Sequence, residues 1–423
     1  MLTLTDIRAN RDGIEKALTK RNLAAGETLD AILKTDESRR ACQLELDGIL
    51  SENNSISKEI GQLFQSGKRE EAEAMKSKTV ELKVRTQELK DAQHKIDEAL
   101  KQLLYKLPNV PHESVPLGKS DEDNVVIDEW GTIPTLAPDA VPHWELTEKY
   151  DLINFELGVK ITGAGFPLYK GKGAKLQRAL IQFFLDSATD AGYTEYMVPL
   201  LVNEASGIGT GSLPDKEGQM YHMPVDDLYL IPTGELPLTN IFRDEILKED
   251  DFPIKLCGYT PCFRREAGSY GKDVRGLNRL HQFDKVEIVA LEHPENSYTT
   301  QKEMIGYVQG LLKKLELPYR TLRLCGGDLT FASALTFDLE VWSAGQGRWL
   351  EVSSISNFET FQANRMKARY KGTDGKTHLV HTLNGSALAL PRIVAALLEN
   401  NQDEKGIRIP EALRPYTGFD YIS

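Results

Sequence analysis

Residues 262–288, CFRREAGSYGKDVRGLNRLHQFDKVEI, hold the side-chain types that a nucleotide site needs. If the first of them end a strand, alternation sets Arg264 and Glu266 on one face and Arg265 on the other. A guanidinium that can grip a phosphate bidentately and a carboxylate that can accept from an exocyclic amine then project together. After a long loop the chain returns through Arg279, Phe283 and Glu287, whose even spacing predicts one common face on a second strand. A ring at Phe283 can stack on a base. By itself FRxE is a weak pattern, and an ordinary ion-pair ladder on a surface hairpin would look the same. The two familiar phosphate cradles, GxxxxGK[ST] and a GxGxxG opening a helix after a strand, do not occur. The glycine-rich stretch GIGTGSLPDKEGQMY (207–221) resembles one superficially and reads as a loop.

These residues must be carried by a sheet. Strand patterns fall around 255–264, 281–290, 335–342 and 348–355, and helical patterns at 173–190, 298–316 and 387–400. Consecutive strands separated by turns predict an α+β fold, an antiparallel sheet with helices on its faces.

The front of the chain is built differently. From about Thr28 to Phe64, Cys42, Leu46, Ile49, Asn53, Ile56, Ile60 and Leu63 recur at steps of three and four. Gln65-Ser66-Gly67-Lys68 interrupts the seam, and a second one runs through Met75, Leu82, Leu89, Ile96, Leu100 and Leu103 until Pro108. The two predict a long antiparallel helical hairpin. Most heptad pairs are dimerisation coiled coils, but Thr79, Thr86 and Gln93 weaken the return seam. Its outer face carries Lys76, Lys78, Lys83, Arg85 and Lys90, which suit either solvent or a polyanion. The stretch 107–135, rich in Pro, Asp and Gly, reads as a linker.

The 423 residues, 40% hydrophobic and 27% charged, suit a soluble protein of two or three domains. No apolar run approaches the roughly 20 residues that span a bilayer, and the N-terminus lacks a signal-peptide pattern, so a cytoplasmic protein is expected. A net charge of −12 argues against nucleic acid, yet residues 1–106 hold nineteen basic and nineteen acidic side chains, so that the whole excess lies beyond them. Cys42, Cys257, Cys262 and Cys325 are too scattered for a disulfide framework or a zinc site, and no transition metal is expected.

Four segments resolve the ambiguity: IPTGELPLTN (231–240), FRREAG through HQFDKVE, LEVSSISNFETFQANRMKARY (350–370) and HTLNGSALALPRIVAALLEN (381–400). Their order and spacing resemble those of bacterial seryl-tRNA synthetases, and the resemblance extends over essentially the whole chain. GYTEYMVP (192–199) is similar to the first motif of class II synthetases, with Pro199 at a homodimer interface; FRREAG…HQFDKVE is similar to the second and NGSALALPR, ending in Arg392, to the third. The resemblance implies a ligase that activates L-serine with ATP and transfers it to tRNA(Ser), and to tRNA(Sec) where present. Arg264 then lies on the α-phosphate, Arg265 beside it, Glu266 at adenine, Phe283 beneath the base, and Arg392, assisted by Arg279, on the γ-phosphate. Glu351 and Ser354 match Mg²⁺ ligands, with Val352 and Ser353 on the same ATP wall. Thr233, Gly234, Glu235, Glu287, Asn384 and Ser386 match the serine pocket, without indicating which carboxylate takes the ammonium and which the hydroxyl.

The implied domains are a tRNA-binding helical domain over 1–106 with its coiled-coil arm at about 28–104, the linker, and a class II catalytic domain over 136–423. Lys76, Lys78, Lys83 and Arg85 become candidate tRNA contacts. Four positions beside the site depart from the family pattern: Leu335 stands where many relatives carry Lys, Ala344 where Pro usually follows the Trp, Asn364 in place of an Arg, and Pro391 before the third-motif arginine. Two rivals differ at identifiable places: relatives that load carrier proteins lack the arm, and an inactive scaffold would have lost Arg264, Glu266, Glu351 or Arg392.

Overall fold

A computed structural model describes residues 1–215, 217–267 and 275–423. Lys216 and residues 268–274, which belong to the glycine-rich stretch and to the loop between Glu266 and Arg279, lie outside the described residues. The chain divides into two compact units, Leu2–Thr19 with Leu23–Pro108, and Asn109–Ser423 with Met1 and Lys20–Asn22.

The first unit contains the hairpin, α1 (Gly26–Gln65) and α2 (Arg69–Leu104). At 1.5 Å per residue the 40-residue α1 is about 60 Å long. Every position of the expected seam, from Cys42 to Leu63 and from Met75 to Leu103, is buried or half-buried, including Thr79, Thr86 and Gln93. Interhelical partners run in opposite order: Glu45 with Arg85 at 2.7 Å, Glu52 with Lys78 at 2.7 Å, and Gln93 donating to Gln43. The helices are therefore antiparallel. Gly67, at φ 82°, supplies the left-handed turn between them.

The second unit is built on one eight-stranded sheet. Its strands are β1 (Val125–Trp130), β2 (Thr194–Glu195), β3 (Ile254–Phe263), β4 (Gln282–Glu292), β5 (Tyr319–Arg323), β6 (Leu335–Ser343), β7 (Arg348–Glu359) and β8 (His381–Ala389). Their spatial order is β1-β5-β6-β7-β8-β4-β3-β2, and every pairing is antiparallel except β2 with β3. Five further helices matter here: α3 (His143–Lys149), α4 (Gly171–Asp190), α5 (Glu235–Asn240), α6 (Ser297–Lys314) and α7 (Leu390–Asn400).

The two faces of this sheet differ in chemistry. Val286, Ile288 and Ala290 of β4, Leu383 and Ala387 of β8, Ile355 of β7 and Leu339 of β6 join one core with residues of α4, α6 and α7. Full burial of each large aliphatic chain contributes about 1.5–3 kcal/mol, so this face anchors the sheet. The alternate residues, Lys285 and Glu287, Asn384 and Ser386, Ser354 and Ser356, and Asp338, fall on the opposite face. Register aligns them: Glu287 lies across from Ser386, Asn384 from Ser356, and Ser354 from Asp338. A run of polar side chains thus crosses four strands.

Three sequence expectations are corrected. The stretch 107–135 carries β1, an edge strand of the large sheet, rather than only a linker. The helix expected from 387 starts at Leu390, because Ala387–Ala389 still belong to β8. Part of the glycine-rich stretch is helical, Glu204–Thr210, capped by Asn203. Gly207 and Gly209 are small there for packing, since an added Cβ would lie 2.6 Å from Leu213 and 2.7 Å from Asn240. Two family departures have local reasons. Pro391 sits in the first turn of α7, where its missing N–H is not needed, and the Ala344 N–H donates to Asn400 Oδ1 at 2.9 Å, a bond that proline would abolish.

Candidate active site

The deepest part of the polar face is a carboxylate pocket. Glu287, fully buried, is flanked on its own strand by Lys285, whose Nζ lies 2.5 Å from Glu287 Oε2 and donates to Thr233 Oγ1 at 2.8 Å. The Thr233 hydroxyl in turn donates to Glu287 Oε2 at 3.2 Å. Glu235, in the first turn of α5, approaches from above. Asn384 Nδ2 bridges the two carboxylates, donating to Glu235 at 2.9 Å and to Glu287 at 3.1 Å, while its Oδ1 is buried without a hydrogen-bond partner among the described residues. Gln362 donates to the other Glu235 oxygen at 2.6 Å and accepts from Thr382. Gly234 lets the backbone come this close, since a Cβ there would meet Thr260 Oγ1 at 3.1 Å and Glu287 Cβ at 3.2 Å.

Burial, with repulsion from Glu287, pushes the Glu235 carboxyl up to about 7, against the opposing pull of Gln362, Lys285 and Arg264. The pocket therefore holds two acidic groups, an ammonium and, among the described residues, an unsatisfied amide oxygen. It suits a small zwitterion with one further polar group.

Beside the pocket lies the cationic end. Arg264 Nε donates to the Pro232 carbonyl at 3.2 Å, and its guanidinium lies 5.2 Å from the centre of the Phe283 ring. Arg279 Nη1 bonds Glu266 Oε2 at 2.7 Å. Arg392, in the first turn of α7, donates from Nε to Asn278 O at 3.1 Å and from Nη1 to Glu351 O at 2.8 Å. Glu351 is exposed and Ser354 half-buried, with Asp338 across from Ser354. Burial, then repulsion from Glu351, holds the Asp338 carboxyl well above its ordinary range, and its Oδ1 has no partner among the described residues.

Several expectations change in detail. Arg264–Glu266 lie past the end of β3, because pairing stops at Phe263 opposite Gln282 and Glu266 turns at φ 49°. Strand alternation is therefore not what brings Arg264 and Glu266 together. Their backbone is held by Arg264 N donating to His281 O and Arg265 N donating to Gln219 O, and the Arg265 side chain is exposed. Arg279 likewise precedes β4, so only Phe283 and Glu287 share the strand face. The Val352 side chain packs into the apolar core, and Ser353, 1% exposed, donates to Ser386 O at 2.6 Å; neither side chain lies on the open wall.

In the hairpin, Lys76 pairs with Glu73, Lys78 with Glu52, and Arg85 with both Glu45 and Glu88, whereas Lys83 is exposed. Pro199 is exposed beyond β2. Cys257 and Cys262, five apart on β3, fall on opposite faces and cannot converge on one ion.

Sequence reasoning missed Lys285 and Gln362. Lys285 could have been found, since it lies on the Phe283–Glu287 alternation. Gln362 could not, because nothing local marks a helix residue that meets Glu235 across 127 positions.

An antiparallel sheet with an acidic pocket and arginines converging on one face defines a class II aminoacyl-tRNA synthetase. The comparisons agree: residues 221–401 match the class II core domain of synthetases for G, H, P, S and T, and residues 1–111 match the seryl-tRNA synthetase N-terminal domain. The chain is 51% identical to a serine–tRNA ligase of Salinibacter ruber, over 100% of this chain and 99% of the relative. It is 44% identical to that of Desulfitobacterium hafniense over the full length of both. The crystal structure of seryl-tRNA synthetase from Pyrococcus horikoshii complexed with ATP matches at a TM-score of 0.90 and 36% identity, covering 99% of each chain. The chain belongs to the seryl-tRNA synthetase family, and its activity is serine–tRNA ligation.

Proposed function

We propose that the chain works in two steps at this one face. In the first, a serine carboxylate oxygen attacks the α-phosphorus of ATP; an O–P bond forms, the bond to the β-phosphate bridge breaks, and pyrophosphate leaves with its electron pair. In the second, a terminal ribose hydroxyl of tRNA(Ser), or of tRNA(Sec) where present, attacks the seryl carbonyl and AMP departs. An ionised carboxylate attacks unaided, so the protein supplies positioning and charge.

Arg264 and Arg265 serve the α-phosphate end, Arg264 neutralising charge that builds as the bond forms. Phe283 and Glu266 receive adenine, the base replacing the Arg264 guanidinium over the ring or extending that stack. Arg392 and Arg279 hold the leaving phosphates. Val352 and Ser353 contribute through their backbone. Glu351 and Ser354 would hold Mg²⁺: both offer hard oxygen donors, the adjacent Asp338 oxygen is unsatisfied, and two or three protein oxygens are what an ion that keeps water and substrate phosphates needs. The ion supplies neutralisation of the phosphate oxygens. Glu235 and Glu287 take the ammonium and hydroxyl of serine, with Thr233, Gly234, Asn384 and Ser386 completing the pocket.

The hairpin within residues 1–106, through Lys83 and through Lys76, Lys78 and Arg85 once freed from their glutamates, binds the tRNA backbone. Residues 136–423 form the catalytic domain, which works as a homodimer through the segment around Pro199, in the cytoplasm.

The observation that carries this reading is Asn384 bridging the half-buried Glu235 and the fully buried Glu287 beside Arg264. Pyrophosphate exchange measured with each of the twenty amino acids, then charging of total tRNA, tests it. Exchange driven by serine alone is expected; equal exchange with alanine or threonine sinks the assignment of the pocket.

A further inference from the structure

Outside the pocket, a fully buried imidazole–carboxylate pair joins α3 to α7. His143 and Glu399 are both 0% exposed, with His143 Nδ1 2.7 Å from Glu399 Oε1. The Leu277 N–H donates to His143 Nε2 at 2.9 Å, so the ring proton sits on Nδ1 and is donated to the carboxylate. The next residue closes a circuit. Asn278 Nδ2 donates to Gln346 Oε1 at 3.0 Å, and Gln346 Nε2 donates to Glu399 Oε1 at 3.2 Å. From this circuit one group reaches the site: the Asn278 carbonyl, which accepts from Arg392 Nε.

The backbone has been shaped around the pair. Gly276 turns at φ 65°, and a Cβ there would lie 2.3 Å from His143 Nε2. Gly345 sits so close that a Cβ would be 3.0 Å from the Glu399 carboxyl carbon. One residue before Gly276, Arg275 lies 4.6 Å over the Trp144 ring, so α3 holds the same segment at a second point. A buried carboxylate with these bonds costs desolvation that an apolar pair would avoid, and packing alone does not explain it.

We infer that His143 and Glu399 are positioning residues for the leaving-phosphate end of the site: they fix Leu277 and Asn278, and Asn278 sets the plane of the Arg392 guanidinium. With Nε held by Asn278 O and Nη1 by Glu351 O, that planar group has one orientation, which a rigid fork needs in order to meet phosphate oxygens. The inference rests on the reading of Arg392 as a phosphate clamp.

The test uses the full-length protein and the difference between ATP and AMP, which share every contact except those to the β- and γ-phosphates. His143→Asn keeps an amide near the Nδ1 position for Glu399 but leaves Leu277 N–H without an acceptor. His143→Gln carries its amide farther and can receive that N–H. By calorimetry His143→Asn is expected to weaken ATP about tenfold while leaving AMP within about twofold, with His143→Gln regaining most of the loss. In pyrophosphate exchange, KM should rise for ATP and pyrophosphate and not for serine. Should His143→Asn fold poorly, Gln346→Leu opens the circuit elsewhere and should show the same selectivity at smaller amplitude. Equal weakening of ATP and AMP, or no change in either, overturns the inference. Arg392→Ala separates the two layers. If it shifts the ATP-to-AMP ratio and the His143 and Gln346 variants do not, the positioning role fails alone; if it leaves the ratio unchanged, the clamp reading fails and the inference with it.

Discussion

At the scale of single residues, the pocket works because its two carboxylates are unlike. Glu287 has Lys285 at 2.5 Å, whereas Glu235 depends on two amides and is pushed up to about 7. A group whose folded value lies above its ordinary 4.5 is ionised at a cost to stability. Its contribution is fully present below 4.5 and is lost as pH rises through about 7. Ammonium binding has the opposite requirement, since only the ionised form attracts it. Serine kcat/KM is therefore expected to fall about tenfold per pH unit below about 7, and Glu235→Gln should lower activity and flatten that limb. An unchanged acid limb in Glu235→Gln would assign the titration elsewhere. Glu287→Gln should raise KM for serine far more than KM for ATP; equal rises would remove Glu287 from the pocket. Arg264→Ala, which deletes a cation at the developing phosphate charge, should cost on the order of 3 kcal/mol, or about two orders of magnitude in exchange rate, with the fold intact by circular dichroism.

At the scale of elements, legibility followed periodicity. The hairpin seam could be read residue by residue because heptads repeat a local rule many times, and β3, β4, β6 and β7 were visible as alternation. β5 and the edge strand β1 were not, since their residues reveal a strand only through partners far along the chain. The junctions fared worst. Arg264, Glu266 and Arg279 were identified by type, yet they sit where strands end and carbonyls of other segments decide the geometry. The join of α3 to α7 belongs to this class too. Burial pushes the Glu399 carboxyl up, but bonds from His143 and Ser343 outweigh it and leave the group below its ordinary 4.5. A depressed folded value means stability present above 4.5 and lost as pH falls through the still lower folded value. Glu399→Gln should thus lower stability at neutral pH by about 2 kcal/mol, the scale of a hydrogen bond to a charged group. The gap between wild type and variant should close as pH drops below 4.5. A gap in melting temperature independent of pH would show that the carboxylate charge does not matter there.

At the scale of the whole molecule, the chain combines two units of opposite design: a sheet whose polar face gathers side chains from segments far apart in the sequence, and a hairpin with almost no interior. A two-helix seam of this length cannot be explained by the needs of the sheet unit, every proposed substrate contact of which lies between Thr233 and Arg392. Neutral overall, residues 1–106 are no electrostatic magnet for RNA as they stand. Lys76, Lys78 and Arg85 are already paired with glutamates, but each pair is exposed and screened by solvent, so that phosphates can displace the carboxylates cheaply. This predicts a contact that is weak per residue and strongly dependent on salt. Replacing residues 28–104 by a short Gly/Ser linker should leave serine-dependent pyrophosphate exchange within a few-fold of wild type and reduce tRNA charging by orders of magnitude. Changing Lys76, Lys78, Lys83 and Arg85 together to Ala should weaken tRNA binding less and flatten its salt dependence. Each lost phosphate contact removes about 0.7–0.9 from the slope of log affinity against log salt. Because Glu45, Glu52 and Glu73 remain in that variant, charge reversal at those three sites to Lys should act in the opposite direction and steepen the slope. A truncated protein that keeps its sheet unit folded and still charges tRNA at the normal rate would show that the hairpin is a solvated coiled coil with no part in recognition.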